Sequence, residues 1–580
     1  WLKAEVLFQH WKNQSSGRNY RPTESFEARH LINRFTQTNP DGTLFRPVPL
    51  GGFMDVRNSF AEGNYGRAQI RADRKLGKFF QLNGIAGAEF KDVTTTLSAN
   101  RFYGYDNRFA VSLPVDLSSQ FRINPNNSLS AIPSGIDHDG MVDRFYSYFG
   151  NISLSYDNRL VFTASARRDA SNLFGVETNQ RAVPLWSSGL SWIISEEGFY
   201  NSSLLPFLRL RSTYGYNGNV DRTMSAFTTA NYFVTEGFAI NPGERYAIIR
   251  NPPNRNLRWE KISTVNLGLD MGMKNDLLDV GFEYYIKEGV DLIGDFPVAP
   301  STGFNTIRGN FADTRTKGWD LTLQSRPVKG KVSWDINLFF SRAREEVVNY
   351  EAPTQIVNLL SSFGVTPYPG KPLFSVFSMR SGGLDPDTGN PIGYLNGEPS
   401  TNFVGIRLQT LPEDLIFHGS ARPQTFGALR NTVHIGNFNL SANISFRLDY
   451  YFRRQSVNYT DLFAGRISHK DYSQRWTQPG DEQFTSIPSM PATNNNFRQF
   501  IHTYSETLVE RADHIRLQDI RAGYSLSRSS NPWLPFRSAE LYTYINNIGI
   551  LWKKTQFDVD PDFQNIPPPR SIALGLRIDF

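Results

Sequence analysis

The feature that most constrains this chain is strict two-residue alternation, repeated along most of its length. In the last segment Ile572, Leu574, Leu576, Ile578 and Phe580 share one face, while Ser571, Ala573, Gly575, Arg577 and Asp579 share the other. Val265, Leu267, Leu269, Met271 and Met273 repeat the pattern, turn at Lys274-Asn275-Asp276, and return through Leu278, Val280, Phe282, Tyr284 and Ile286. Period two is the signature of a β-strand with unlike faces. Further hairpins are expected at Asp157-Asn158, 327–330, 434–437 and 75–78. Two readings fit: a half-buried soluble sheet and a membrane barrel. The apolar faces run for about 9–11 residues, the span of a tilted strand in a bilayer. Tight turns also alternate with long excursions, at 90–144, 216–261, 343–425 and 450–513. That asymmetry belongs to outer-membrane barrels, as do aromatic girdles, for which Tyr146, Tyr148, Tyr156, Tyr284, Trp319 and Trp334 are placed near strand ends. The reading is therefore an all-β, transmembrane antiparallel β-barrel with about 16 strands in this chain. The strand after Asp513 changes phase: Ile515 and Leu517 are odd, Ile520, Ala522, Tyr524 and Leu526 even, so a bulge is expected at Gln518-Asp519.

Composition agrees. Hydrophobic residues make up only 39% of 580, with mean hydropathy −0.41, yet 10 Trp, 25 Tyr and 44 Phe are far too many for a disordered chain. No run approaches the roughly 20 apolar residues of a spanning helix. There is no Cys, which removes disulfide frameworks and thiolate metal sites. A net charge of +6 without a basic run gives no sign of a nucleic-acid partner. Residues 1–12 read as a strand already under way and not as a signal peptide, so an upstream portion is expected.

Catalytic and metal patterns are missing from the sequence. The eight His are scattered, without an i,i+4 pair. Gly370-Lys371 resembles the end of a P-loop, but Pro372 stands where Ser or Thr is needed and Gly364 lies one residue too far upstream. Asp385 and Asp387 have calcium-like spacing in Asp385-Pro386-Asp387-Thr388-Gly389, but no distal Glu completes the set, and a Pro-Asp-Gly turn explains them. Nothing points to an enzyme or to a cofactor.

Several stretches, in order along most of the chain, resemble the SusC/RagA family of TonB-dependent outer-membrane transporters from Bacteroidetes. They are Arg167-Arg168-Asp169-Ala170-Ser171-Asn172-Leu173-Phe174-Gly175, residues 192–199, Leu208-Arg209-Leu210-Arg211-Ser212-Thr213-Tyr214-Gly215 ending in Gly218-Asn219, and Gly383-Leu384-Asp385-Pro386-Asp387-Thr388-Gly389. Closer to the C-terminus come Arg475-Trp476 with Pro479-Gly480-Asp481, Ala512-Asp513-His514-Ile515-Arg516-Leu517-Gln518-Asp519-Ile520 then Gly523-Tyr524-Ser525-Leu526, Tyr544-Ile545-Asn546-Asn547-Ile548, and Asp558 to Pro561 followed by Ile566-Pro567-Pro568-Pro569-Arg570. The resemblance implies a 22-stranded barrel around an N-terminal plug. On that basis residues 1–580 are the C-terminal portion of such a barrel, with the plug and first strands not present.

The resemblance further implies a Gram-negative, Bacteroidetes-like outer membrane and energised import of oligosaccharides or peptides. Its partners would be a SusD-like surface lipoprotein, outer-membrane lipid, and TonB–ExbB–ExbD acting through the missing N-terminal region. A SusC-like structural or docking subunit of a larger machine and a passive porin are the alternatives. Loop residues suited to sugars by stacking and amide hydrogen bonding are Tyr103, Tyr105 and Asp106, and Tyr216, Asn217 and Asn219. Phe580 would be a terminal aromatic assembly signal. The short turns would be periplasmic, and excursions 343–425 and 450–513 would form the platform for the lipoprotein.

Overall fold

The computed structural model describes residues 1–172, 182–219, 227–234, 244–254, 256–361, 367–466, 469–564 and 566–580. Among the described residues sixteen long strands carry the fold: β1 (Leu2–Arg21), β2 (Gly52–Leu76), β3 (Phe80–Asp106), β4 (Asp137–Tyr156), β5 (Leu160–Ser171), β6 (Ala182–Ile193), β7 (Phe207–Asn219) and β8 (Glu260–Gly272) in the first half. In the second half they are β9 (Asp279–Pro297), β10 (Thr306–Val328), β11 (Val332–Tyr350), β12 (Thr425–Ile435), β13 (Phe438–Leu448), β14 (His514–Ser527), β15 (Ser538–Lys553) and β16 (Ser571–Asp579). Each pairs with the next in chain order. A short seventeenth strand, Val111–Leu113, joins the sheet at the end of β3. The all-β, antiparallel expectation holds, and all five expected hairpin turns lie where the sequence put them. At Asp157 and Asn158 both φ angles are positive, 49° and 56°, as a two-residue turn matched to strand twist requires.

The chain divides into two compact units: Trp1–Leu154, Ala164–Trp186 and Val220–Trp259 form the first, and Ser155–Thr163, Ser187–Asn219 and Glu260–Phe580 the second. In the first, β2 and β3 stay in register from Leu76↔Phe80 to Met54↔Phe102 and are 25 and 27 residues long. Here the structure corrects the sequence reading, which ended the strand at Phe90 and placed a long excursion over 90–144. Leu2, Ala4, Val6 and Phe8 of β1 lie beside Ala72, Ile70, Ala68 and Gly66 of β2, but beyond them the same face carries His10, Lys12, Glu62 and Asp92. Alternation of polarity stops there, while backbone pairing continues; a hydrophobic pattern detects the first and not the second.

The second unit separates its faces sharply. Cross-strand register aligns Leu210, Leu269, Phe282, Leu321, Phe340, Gly427 and Phe446 in one apolar row across seven strands. The opposite face carries Arg211 with Asp270 at 2.7 Å and Glu283 at 2.9 Å, Arg326 with Asp335 at 2.5 Å, and Arg521 with Glu540 at 2.7 Å. An apolar outer face over a polar inner one is the barrel arrangement. Glycine appears where a ring lies flat on the strand: a Cβ at Gly318 would meet the Tyr285 ring at 2.5 Å and the Arg342 carbonyl at 2.9 Å. The expected phase slip is real, because Asn443 faces Asp519 while Ile444 faces Leu517, leaving Gln518 as the extra residue.

Candidate functional site

The excursions between β11 and β12 (351–424) and between β13 and β14 (449–513) fold together into one loop module. Its helices start at side-chain caps: Asn402 accepts from the Gly405 N–H at 3.0 Å to open α3 (Phe403–Gln409), and Asn495 accepts from Phe497 and Arg498 at 3.1 and 3.0 Å to open α5 (Asn496–Thr503). Helix α2 (Ile356–Leu360) lies in the first excursion and α4 (Tyr459–Phe463) in the second. Leu359, Leu360, Phe377, Met379 and Ile406 from the first excursion pack on Phe500 and Ile501 from the second in a single core. Backbone bonds stitch the two: Met379 N–H donates to Tyr504 O at 2.8 Å and Glu506 N–H to Met379 O at 3.0 Å.

Charged groups sit inside this module. Arg498 donates to the Asn390 side chain at 2.6 Å and to Ser489 O at 2.7 Å, and burial lowers its pKa to about 10. Arg453 donates to the carbonyls of Leu360 and Phe377, and burial lowers it to about 10 as well. Arg454 and Asp471 form a 2.5 Å ion pair, which Ser456 supports by donating to Asp471 at 2.8 Å. His502, 3.2 Å from the Ser456 hydroxyl, is pushed down to about 3 by burial and then by the Arg498 and Arg454 charges, so it is neutral. The module's own residues line an open cavity of about 1100 Å³, among them Tyr450, Tyr451, Arg453, Asn458, Gln499 and Tyr504. Rings, amides and a guanidinium around such a volume suit a polar, flexible solute.

A polar knot fastens the module to the sheet. Arg516 Nη2 donates to both Asp560 oxygens at 2.7 Å, while Asp562 receives Arg447 at 2.7 Å, His514 Nε2 at 3.2 Å and the Tyr450 hydroxyl at 3.2 Å. Burial opposes ionisation of Asp562, but His514 and Arg447 outweigh it and hold its pKa near 2. His514 and Arg516 come from the motif that opens at Ala512 and Asp560 from the Asp558 to Pro561 motif, which the fold brings together from 44 positions apart; Asp562, Arg447 and Tyr450 lie outside both.

The sequence-predicted contacts fall elsewhere. Tyr103 is only 2% exposed, inside a core made with Ile32, Phe35, Val48 and Phe53, and donates to Pro133 O. Tyr105 is buried too; its hydroxyl accepts from Arg18 at 3.0 Å and its ring meets Tyr20 edge-on at 5.8 Å. These two tyrosines pack; they do not offer a stacking face. Asp106 folds back on Arg108 at 2.7 Å. Tyr216 bonds Tyr214 at 2.7 Å, Asn217 is exposed, and Asn219 donates to Glu260 at 2.8 Å. Asp385 accepts from the Thr388 N–H at 2.8 Å and its hydroxyl at 2.7 Å, as a turn-forming Asp does. Phe580 is almost fully exposed beyond β16. Residues 173–175 of the Arg167 motif and Gly364 lie outside the described residues. The sequence reading missed α1 (Phe26–Phe35), which caps the Tyr103 core; Ser25, accepting from Ala28 N–H at 3.2 Å, was its signal.

Comparison with known proteins decides the family. The family described as "TonB dependent receptor-like, beta-barrel" matches residues 8–548. The chain belongs to the TonB-dependent receptor β-barrel family. These receptors are outer-membrane transporters, not enzymes. TonB-dependent receptor P26 of Formosa agariphila is 22% identical over 97% of this receptor chain and 58% of its own length. TonB-dependent receptor SusC of Bacteroides thetaiotaomicron is 30% identical over 75% of this chain and 43% of its own. The chain thus spans about half the length of the curated relatives it matches. Among solved structures, the RagAB peptide transporter superposes with a TM-score of 0.73 at 18% identity, covering 100% of this chain and 60% of that one. That superposition carries the TonB-dependent receptor fold.

Proposed function

We propose that this chain forms most of the wall and the substrate-facing loop module of an energised importer of oligosaccharides or peptides. In this reading it is the SusC-like barrel under a SusD-like surface lipoprotein, and TonB–ExbB–ExbD drive it through an N-terminal region outside this chain. The observation that carries the reading is the cavity of about 1100 Å³ lined by residues of the two interlocked excursions, with rings, amides and Arg453. Passive pores do not need an ordered module with a core of its own; a site that must recognise and hand over a solute does. The name of one similar structure, the RagAB peptide transporter, supports the peptide class. The tight turns at Asp157, Asn275, Lys329 and Gly436 are then periplasmic, as is Phe580, which serves as the terminal aromatic assembly signal. Tyr216, Asn217 and Asn219 stand at the rim, at the long-loop end of β7.

The test uses the full-length protein in its own outer membrane. Cells receive fluorescent oligosaccharides or peptides, with and without replacement of Arg453 and Gln499 by Ala. A photoreactive residue at Phe484, 89% exposed on the module, reports the lipoprotein. Uptake that depends on Arg453 and Gln499, with a second protein cross-linked at 484, is the expected result. Wild-type uptake in the double variant would refute the cavity as the solute site. Cross-linking without any uptake would favour the structural, docking subunit instead.

A further inference from the structure

One set of charges on the outer face serves none of the roles above. Along β10 the outward residues are Leu323, Leu321, Trp319, Lys317 and Arg315, and along β11 they are Leu338, Phe340, Arg342, Arg344 and Glu346. Trp319 and Phe340 stack with ring centroids 5.0 Å apart, and Phe282 and Phe446 extend that aromatic row at 6.1 and 5.5 Å. Directly above the row, on the long-loop side, polarity switches to positive. The register puts Lys317 opposite Arg344, and Arg342 opposite Trp319.

Two cations directly across a strand pair repel each other, with Cβ atoms about 5 Å apart, and a sheet avoids the arrangement unless something negative lies between them. Among the described residues no carboxylate forms an ion pair with Lys317, Arg342 or Arg344. The other lateral neighbours are Ile286 beside Lys317 and Thr425 beside Arg342. On this face Glu288 and Glu346 are engaged by Arg315 at 2.9 and 3.8 Å, and Asp449 accepts from the Thr425 hydroxyl at 2.8 Å and lies 3.9 Å from Arg511. Lys317 and Arg344 are exposed and Arg342 half-buried, one pleat closer to the aromatic row. Successive residues on one face are about 6.7 Å apart, so the three cationic heads converge on an area the size of one or two phosphates.

We propose that Lys317, Arg342 and Arg344 form a docking site on the outer wall for the phosphorylated headgroup of a membrane lipid. Its acyl chains lie against Leu321, Leu323 and Leu338. Arg342 and Arg344 supply forked donors to phosphate oxygens and Lys317 a compact charge between them. The aromatic row below fixes the headgroup level, since Trp and Tyr belong at the boundary between hydrocarbon and water. The anion that neutralises the Lys317–Arg344 pair comes from the bilayer, so wall and lipid are complementary at this spot. This inference rests on the barrel and its lipid face, and not on the import reading; a failed uptake experiment leaves it intact.

Native mass spectrometry of the full-length protein in neutral detergent tests it, with phosphatidylglycerol, a diphosphorylated lipid A, phosphatidylcholine and sodium phosphate as separate probes. The triple variant Lys317→Gln/Arg342→Gln/Arg344→Gln should hold the two anionic lipids on the order of 100-fold more weakly, about fivefold for each cation near a lipid surface. A control with Lys78→Gln, Lys331→Gln and Arg528→Gln, exposed cations on the short-turn side, should retain them. Retention of only one anionic lipid identifies whether phospholipid or phosphorylated glycolipid is the source. Should the triple variant fail to fold, Lys317→Glu serves alone: it places a carboxylate opposite Arg344, so heat resistance in lipid-free detergent should hold or rise while lipid retention falls. Unchanged retention in these variants, or equal displacement by sodium phosphate alone, would overturn the proposal.

Discussion

Arginine placed along the outer face of β16 measures how deep that face sits in hydrocarbon. Leu574, Leu576 and Ile578 are 77%, 64% and 37% exposed, an arrangement no water-facing strand would tolerate in sequence. Between the outer positions lie Ala573, Gly575 and Arg577, with Gly575 covered by the Tyr542 ring on the inner face. A strand rises about 3.3 Å per residue, and a tilt of about 40° leaves roughly 2.5 Å of height for each. Counted from Asp579, Leu574 then stands about 12 Å up, near the middle of an apolar band about 25 Å tall, with Leu576 at about 7 Å and Ile578 at about 2 Å. Arginine should therefore cost about 3 kcal/mol at 574, about 2 at 576 and under about 1 at 578, whereas Ala573→Arg on the inner face should cost little. Urea titration of the full-length protein in phosphatidylcholine vesicles, followed by heat-modifiable gel mobility, gives these values. A flat series, or an equal loss from Ala573→Arg, would refute both the face assignment and the depth scale.

Two further outcomes follow from the geometry. Gly318→Val drives a branched side chain against Tyr285 and the Arg342 carbonyl, and should lower stability by about 1–3 kcal/mol through overpacking, seen as a lower unfolding temperature in detergent. Asp562 has a folded pKa of about 2, below its unfolded value near 4, so it contributes stability above pH 4 that is lost as pH falls toward 2. Asp562→Asn should cost about 3–5 kcal/mol at neutral pH by leaving Arg447 and His514 without their anion, and should flatten that acid limb; an acid limb identical to wild type would count against the knot.

The wall was legible in the sequence because lipid on one side and polar groups on the other impose a period that survives without any knowledge of contacts. Even the Gln518 bulge shows in sequence, as the change from Leu517 to Ile520 on the outer face. Two things were not legible. The upper halves of β2 and β3 keep their ladder where both faces are polar, so no period marks them. In the loops, burial depends on packing between distant segments: Tyr103 and Tyr105 look like sugar platforms in a Tyr-Gly-Tyr-Asp string, and only the arrival of α1 and Phe53 turns Tyr103 inward. Asp513, His514, Arg516 and Asp558 to Pro561 were visible as motifs, but Asp562 and the meeting of these groups around it needed the fold.

The shared core of the two excursions sets a rule for how such a chain can be altered. Phe500 and Ile501 find their partners on a segment that leaves the sheet more than 80 residues earlier, and Met379 exchanges backbone bonds with Tyr504 and Glu506 across that gap. Neither excursion is an exchangeable part alone. A graft of 351–424 from a relative would strand the apolar face of α5, and a graft of 449–513 would leave Ile406 and Phe377 facing water. Any re-engineering of this module must therefore replace both segments together, because each supplies half of the other's core.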